Sequence, residues 1–188
     1  GNGLQLMGDS HIDFGKNIAY FEKNIPFSIS LWFKNLKEGN AGPIITRSGG
    51  LFNGNRGFDF MLKENGQLTA NINHTFPDNS IAVITKDSIK ANTWQHLAMT
   101  WDGSGYAKGL KLFLNGKPME LVIEVDNLES SILYYGNDKK NWGGMRALGI
   151  GRRFDKTMSD AIADECRVFE RELSLLEIEK LHGEVSNE

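Results

Sequence analysis

Apolar and polar residues alternate along much of this chain. In residues 27–34 (FSISLWFK) every second residue is apolar, so an extended strand there would bury one face. Comparable segments recur about every ten residues: Pro43–Arg47, Gly57–Leu62, Gln67–Asn73, Ser80–Lys86, Trp94–Trp101, Gly109–Asn115, Met119–Val125, Arg146–Gly151 and Ile162–Phe169. The pattern therefore predicts a succession of short β-strands.

Turn-forming residues separate these segments. Asn-Gly and Asp-Gly pairs stand at 65–66, 102–103 and 115–116, and such pairs adopt the positive φ angles of tight hairpins at little cost. No helical segment comes between the predicted strands, which excludes an alternating α/β fold. We predict an all-β protein, a two-sheet antiparallel jelly-roll sandwich.

Only the C-terminal region has helical periodicity. Ser174 and Glu177 have the spacing of a capping box, and apolar residues follow at 175, 178 and 181. Gly183 is a suitable stop. The prediction is one short C-terminal helix packed on the edge of the sandwich.

Composition narrows the class of protein further. The chain has 188 residues, of which 40% are hydrophobic and 24% charged, as in a folded globular domain. A net charge of −3 gives little attraction to nucleic acid, and no apolar run reaches the roughly 18 residues of a membrane span. Cys166 is the only cysteine, so no internal disulfide can form.

The two ends of the chain suggest its context. It opens with Gly1-Asn2-Gly3 and closes with a polar stretch from Gly183 to Glu188. We therefore expect residues 1–188 to be a single domain, excised from a larger protein and monomeric when isolated.

Five segments in order resemble laminin-G-like, concanavalin A-like jelly-roll domains. Residues 4–15 (LQLMGDSHIDFG) are similar to the first hairpin of that family, and 27–33 (FSISLWF) to its next strand. The later matches are 93–104 (TWQHLAMTWDGS), 111–116 (KLFLNG) and 163–174 (ADECRVFERELS). The resemblance covers nearly the whole chain and implies the lectin/glucanase type of sandwich.

A narrower resemblance concerns one bacterial subset of these domains. Its members are inserted in large proteins that also carry cytochrome-c-like and PSD1 regions. The similar segments are 43–50 (PIITRSGG), 57–62 (GFDFML), 126–128 (DNL) and 148–154 (LGIGRRF). The resemblance implies a sugar-binding-like insert of a secreted, periplasmic or cell-surface protein. Any redox chemistry would lie elsewhere, since this chain has no C-x-x-C-H haem motif.

One loop has the composition of a sugar-binding surface. Aromatic rings stack on the CH faces of sugars, while amides and carboxylates hydrogen-bond their hydroxyls. Residues 134–142 (YYGNDKKNW) offer both, so the candidate contacts are Tyr134, Tyr135, Asn137, Asp138, Asn141 and Trp142, with Trp101 on the concave face. The alternative is that these aromatic residues only cover the edges and ends of the core.

The resemblance also implies one structural calcium ion between the first hairpin and the last strand. Calcium binds carboxylate and carbonyl oxygens. By position the matching carboxylates are Asp9 and Asp164. The alternative for Asp164 is an ion pair with Arg152 or Arg153.

The six residues Glu124–Glu129 fit E-x-D-x-x-E, the catalytic pattern of family 16 glycoside hydrolases. Glu124, Asp126 and Glu129 would then be the catalytic carboxylates. Asn127 stands where those enzymes usually carry an apolar residue, and Asp126-Asn127 is typical of a turn. We therefore expect no catalysis from this segment.

Three functions follow, in order of preference. The first is a non-catalytic carbohydrate-binding module with a glycan or polysaccharide as partner. The second is a structural or protein-interaction module that contacts other domains of its parent protein. The third is a glycosidase acting through Glu124, Asp126 and Glu129.

Overall fold

A computed structural model describes residues 3–15, 17–50, 54–133, 147–154 and 156–184. Their strands form two large antiparallel sheets, packed face to face, and one small ribbon. The six-stranded sheet contains, in spatial order, β1 (Leu4–Leu6), β15 (Ala161–Phe169), β3 (Phe27–Asn35), β8 (Gln95–Trp101), β9 (Leu110–Leu114) and β10 (Lys117–Pro118). The all-β sandwich prediction is confirmed.

The second sheet has seven strands. In spatial order they are β11 (Leu121–Asp126), β7 (Asn79–Ser88), β6 (Gln67–Thr75), β5 (Gly57–Leu62), β4 (Gly42–Ser48), β12 (Gly149–Ile150) and β2 (Ile12–Asp13). The ribbon consists of β13 (Arg152–Arg153) and β14 (Lys156–Thr157). It follows β12 directly and contacts β4, so it borders the seven-stranded sheet.

Alternation decides which residues fill the core between the sheets. The apolar positions of β3 are fully buried and face those of β5 across the sandwich. Phe27 from β3 and Phe58 from β5 meet with ring centroids 4.9 Å apart. Each buried aromatic ring removes a large apolar area from water, and this burial holds the two sheets together.

The N-terminal segment differs from the predicted hairpin. β1 pairs with β15 in the six-stranded sheet, whereas β2 pairs with β12 in the seven-stranded sheet. The chain between them therefore crosses from one sheet to the other. A local sequence pattern predicts strands but does not determine which sheet each strand joins.

A β-bulge changes the faces of the last strand. In β15 the pairing with β3 shifts between Asp164 and Arg167, and Glu165 has a φ of +49°. Ile162 and Asp164 therefore lie on the outer face, while Cys166 and Val168 pack against the core. Strict alternation would place all four on one face, because it does not account for an extra residue.

The predicted helix is present as α1 (Leu175–Glu184). Its capping box is formed: the Ser174 backbone N–H donates to the Glu177 carboxylate at 2.9 Å, and the Ser174 hydroxyl does so at 2.8 Å. Ile178 is buried against Ala98 and Phe113, on the outer face of the six-stranded sheet. No helix among the described residues is both long and apolar enough to cross a membrane.

Candidate functional site

A groove of about 740 Å³ lies on the outer face of the seven-stranded sheet. This volume falls in the range of sites that bind small organic ligands, roughly 300–1,000 Å³. Its lining comes from β5, β6 and β11, the β13–β14 ribbon and the adjoining turns. The groove lining includes polar, charged and aromatic side chains: Asn55, Met61, Lys63, Glu64, Thr69, Asn71, Asn73, Phe76, Glu124, Arg153 and Lys156.

Strand alternation creates the polar floor of this groove. In β6, Leu68, Ala70 and Ile72 point into the core, so the intervening Thr69, Asn71 and Asn73 line the groove. Hydroxyl and amide groups therefore form a row along one strand. Such a row can hydrogen-bond a polar ligand through several positions at once.

A buried ion pair lies beneath this row. Asp59 stands opposite Asn71 in the β5–β6 register and is fully buried. Its carboxylate accepts a hydrogen bond from Asn71 Nδ2 at 2.5 Å, and its Oδ2 lies 3.6 Å from Nη1 of Arg153. The Arg153 guanidinium, itself buried, also donates to Met61 Sδ at 3.6 Å. The pair fixes the orientation of Arg153 and Asn71.

Two acceptor atoms beside the floor are buried without hydrogen-bond donors. They are the amide oxygens Oδ1 of Asn55 and Asn73, both from residues that line the groove. Asn73 is 1% exposed, and its amide nitrogen donates to the Asn55 carbonyl at 3.2 Å. A buried acceptor that lacks a donor costs roughly 1–3 kcal/mol. Such a group calls for an explanation, and a bound water, ion or ligand that supplies the missing hydrogen bond is one.

An aromatic ring forms part of the groove wall. Phe76 follows β6, and its backbone N–H donates to the Gly54 carbonyl at 2.8 Å. The side chain is 41% exposed although it is wholly apolar. An exposed ring beside a row of amides is the combination that sugar recognition requires.

Most of the predicted sugar contacts cannot be placed. Tyr134, Tyr135, Asn137, Asp138, Asn141 and Trp142 lie outside the described residues. Their role in binding stays a prediction.

Trp101 is not on the concave surface. It is 0% exposed and belongs to the core between the sheets, where its Nε1 donates to the Lys23 carbonyl at 2.6 Å. A ligand cannot reach it without opening the sandwich. Its place as a candidate contact is therefore corrected, and its neighbour Trp94 is the exposed one of the two.

The two predicted calcium carboxylates do not share a site. Gly8 donates to the Met158 carbonyl, which places Asp9 beyond one end of the β1–β15 pair, and Asp164 lies beyond the other end. Along a strand this separation is roughly 15–20 Å, whereas calcium ligands lie about 2.3–2.6 Å from the ion. Among the described residues no group of three His, Cys, Asp or Glu could hold a metal ion.

Arg152 and Arg153, the predicted alternative partners of Asp164, contact other residues. The carboxylate accepts a hydrogen bond from the backbone N–H of Glu165 at 2.8 Å. Arg153 pairs with Asp59 instead, and Arg152 Nη1 lies 3.0 Å from His11 Nε2. Because Asp164 is on the outer face and half-buried, it does not need the compensation that a core carboxylate would.

The E-x-D-x-x-E segment does not form a catalytic face. A bulge at Glu124 interrupts the pairing of β11, and the strand ends at Asp126. Asp126 accepts from the Ala107 backbone at 2.8 Å, while the backbone of Glu129 is held by Asn79 in the following loop. Only Glu124 lines the groove, so the geometry lacks the two facing carboxylates of a retaining glycosidase.

A second set of polar groups is buried under helix α1. His96 of β8 is 2% exposed and packs against Trp32 of β3 and His182 of α1, with ring centroids 5.6 and 6.1 Å away. Its Nδ1 has no hydrogen-bond partner. Burial, and secondly the nearby His182 and Arg167, lower the pKa of His96 to about 4. His96 is thus buried, although it lies outside the main core.

Sequence reasoning missed the groove, although part of its signal was present. The polar residues of 67–73 (QLTANIN) alternate with apolar ones, which marks one face of that strand as polar. Asp59 stands between two phenylalanines in GFDFML, where a charge needs a partner. The partner, Arg153, comes from a distant part of the chain, and no local pattern identifies it.

Comparison with solved structures finds the same fold in several proteins. The carbohydrate-binding module CBM40 of the Ruminococcus gnavus IT-sialidase superposes with a TM-score of 0.69 at 18% identity, over 96% of both chains. The same module bound to α2,3-sialyllactose gives 0.68 at 17% identity, over 97% of both. The leech intramolecular trans-sialidase gives 0.70 at 17% identity, over 98% of this chain and 27% of that one. At such identities the likeness shows the fold alone.

Sequence comparison gives the family. No curated protein matches the chain. A family model described as the concanavalin A-like lectin/glucanases superfamily matches residues 6–179, which is most of the sequence. The chain belongs to this laminin-G-like family of the concanavalin A-like lectin/glucanase superfamily.

Proposed function

We propose that this domain is a non-catalytic carbohydrate-binding module and that the glycan lies in the groove of the seven-stranded sheet. The observation that carries the proposal is the pairing of an exposed Phe76 ring with the polar row of Thr69, Asn71 and Asn73. The ring supplies a stacking surface, and the row supplies hydrogen bonds to hydroxyls. The CBM40 neighbours, which by their names bind sialyllactose, support a glycan as the class of ligand.

The proposal is tested on a glycan and polysaccharide array with the purified domain in calcium-containing buffer. We expect binding to a defined glycan, and a loss of about tenfold or more in affinity for Phe76→Ala, because stacking and ring burial together contribute more than about 1.4 kcal/mol. Asn71→Ala should weaken binding as well. An array without any bound glycan would contradict the proposal.

A matched control separates the groove from other exposed rings. Tyr106 is 60% exposed and lies outside the groove lining, between β8 and β9. Tyr106→Ala should therefore bind the same glycan as the wild type. Trp142→Ala tests separately whether the loop at 134–142 adds contacts.

The cellular context is part of the proposal and rests on sequence resemblance. Segments such as 43–50 and 148–154 are similar to the domains inserted in bacterial proteins with PSD1 and cytochrome-c-like regions. We infer a module within a larger secreted, periplasmic or cell-surface protein. Fractionation of cells that express the full-length parent, followed by immunodetection, tests this location.

One observation favours the second candidate, a protein-interaction or structural module. β11 is an edge strand, and its Val122 and Ile123 are 45% and 52% exposed. Exposed apolar residues on a free edge can pack against another part of the parent protein. This function gains support if the array stays blank and the domain protects neighbouring parent segments from proteolysis.

A further inference from the structure

We infer that the groove selects uncharged, hydroxyl-rich glycans over acidic ones, an inference that rests on the proposed function. The charges and hydrogen-bonding groups that line the groove carry this inference. It leads to a ligand class different from the sialylated sugar bound by the superposed CBM40 module.

The charges around the groove cancel. Its lining carries three cationic side chains, Lys63, Arg153 and Lys156, and two carboxylates, Glu64 and Glu124. The third carboxylate is Asp59, directly beneath the floor and paired with Arg153. A site that binds acidic sugars needs a positive charge left over for the ligand, and the innermost cation here already faces an anion.

The hydrogen-bonding groups of the floor point to the same conclusion. One amide N–H of Asn71 is directed at Asp59, and one amide N–H of Asn73 is directed at the Asn55 carbonyl. Oδ1 of Asn55 and Oδ1 of Asn73 are buried acceptors to which no described residue donates. Acceptors are satisfied by hydroxyl donors, whereas a carboxylate or sulfate brings only further acceptors.

Both oxygens are covered by their surroundings, so a ligand reaches them only after side chains rearrange. Such rotamer changes are common when ligands and partners bind. A glycan hydroxyl that donates to either oxygen would remove an unfavourable buried group. A charged substituent in the same place would instead add an unfavourable buried charge next to the Asp59 carboxylate.

The test uses pairs of glycans that differ only in one acidic substituent. Lactose and 3′-sialyllactose form one pair, and neutral oligosaccharides with their sulfated or uronic acid counterparts form the others. We expect neutral members to bind, and the acidic partner of each to bind at least about tenfold more weakly, since an unpaired charge in a desolvated site costs more than about 1.4 kcal/mol. Affinity for the neutral members should change little between about 0.05 and 0.5 M salt.

The outcomes distinguish this inference from the proposed function. Preference for the acidic members, weakened by salt, overturns the inference but leaves a carbohydrate-binding module. Failure of every glycan to bind overturns both. Neutral preference with salt-independent affinity supports both.

Charge variants identify the residues responsible. Asp59→Asn keeps the shape of the side chain but removes the carboxylate that pairs with Arg153, so acidic glycans should gain about tenfold relative to the neutral ones. If the loss of a buried pair prevents purification of this variant, Glu124→Gln at the exposed rim makes the same test with a smaller gain. Glu172→Gln, whose carboxylate pairs with Lys111 away from the groove, is the control and should change nothing. If Asp59→Asn folds and Glu124→Gln binds glycans, yet neither variant shifts the preference for neutral over acidic glycans, charge balance does not set the specificity.

Discussion

Protonation of His96 should loosen the packing of helix α1. The imidazole is buried between Trp32 and His182, and its pKa falls to about 4 from an ordinary value of 6.5. The other ionisable groups that lower its pKa are His182 on α1 and Arg167 on β15, and Arg167 is paired with Glu165 and Glu184. A proton on His96 would therefore add a buried charge beside a cation.

The sign and size of the effect follow from linkage. Because the folded pKa is lower than the unfolded one, the unfolded chain binds more protons between about pH 4 and 6.5. Stability is thus complete above about pH 6.5 and is lost as the pH falls toward 4. For one group whose pKa is shifted this far, the free energy of unfolding falls by at most about 2 kcal/mol at pH 5. Because solvent partly screens the charge on His96, we expect a fall of about 1–2 kcal/mol. In a domain of this size that lowers the Tm by about 2–8 °C.

The assay compares wild type with His96→Phe by thermal unfolding at pH 7.5 and pH 5. Phenylalanine keeps an aromatic ring against Trp32 and removes the Nδ1 that has no partner. The variant should be as stable as the wild type at pH 7.5, and should lose less stability than the wild type at pH 5. Equal losses in the two proteins would refute the assignment of the pH dependence to His96.

Three further results are expected from the structure. Ser174→Ala removes the capping box of α1 and should cost about 1 kcal/mol in urea unfolding; an unchanged midpoint would mean that the cap contributes nothing. Phe60→Ala empties a fully buried core position and should cost about 3–5 kcal/mol, whereas a loss under about 1 kcal/mol would contradict the packing. EDTA should leave the Tm unchanged, since Asp9 and Asp164 lie at opposite ends of a strand pair, and a fall in Tm would restore the calcium prediction.

The strands were predictable because their signal is local. Alternation over residues 27–34 and 57–62 requires only that one face be buried, and the observed β3 and β5 begin at the predicted residues. The same holds for the capping box at Ser174, whose two partners are three residues apart. Where an extra residue interrupts the strand, as at the bulge after Asp164, alternation does not give the faces of the residues that follow.

The site could not be predicted, because its parts meet only in the folded chain. Asp59 and Arg153 are far apart in sequence, and the pairing of β12 with both β2 and β4 sets where the ribbon with Arg153 lies. Residue type alone also misleads: Trp101 is an aromatic residue of the kind that contacts sugars, yet it is buried in the core. The sequence by itself determined the all-β fold, its strand positions and its family, through period-two patterning and local motifs. Only the tertiary structure decided which polar faces adjoin, because a groove depends on contacts between strands that no local pattern encodes.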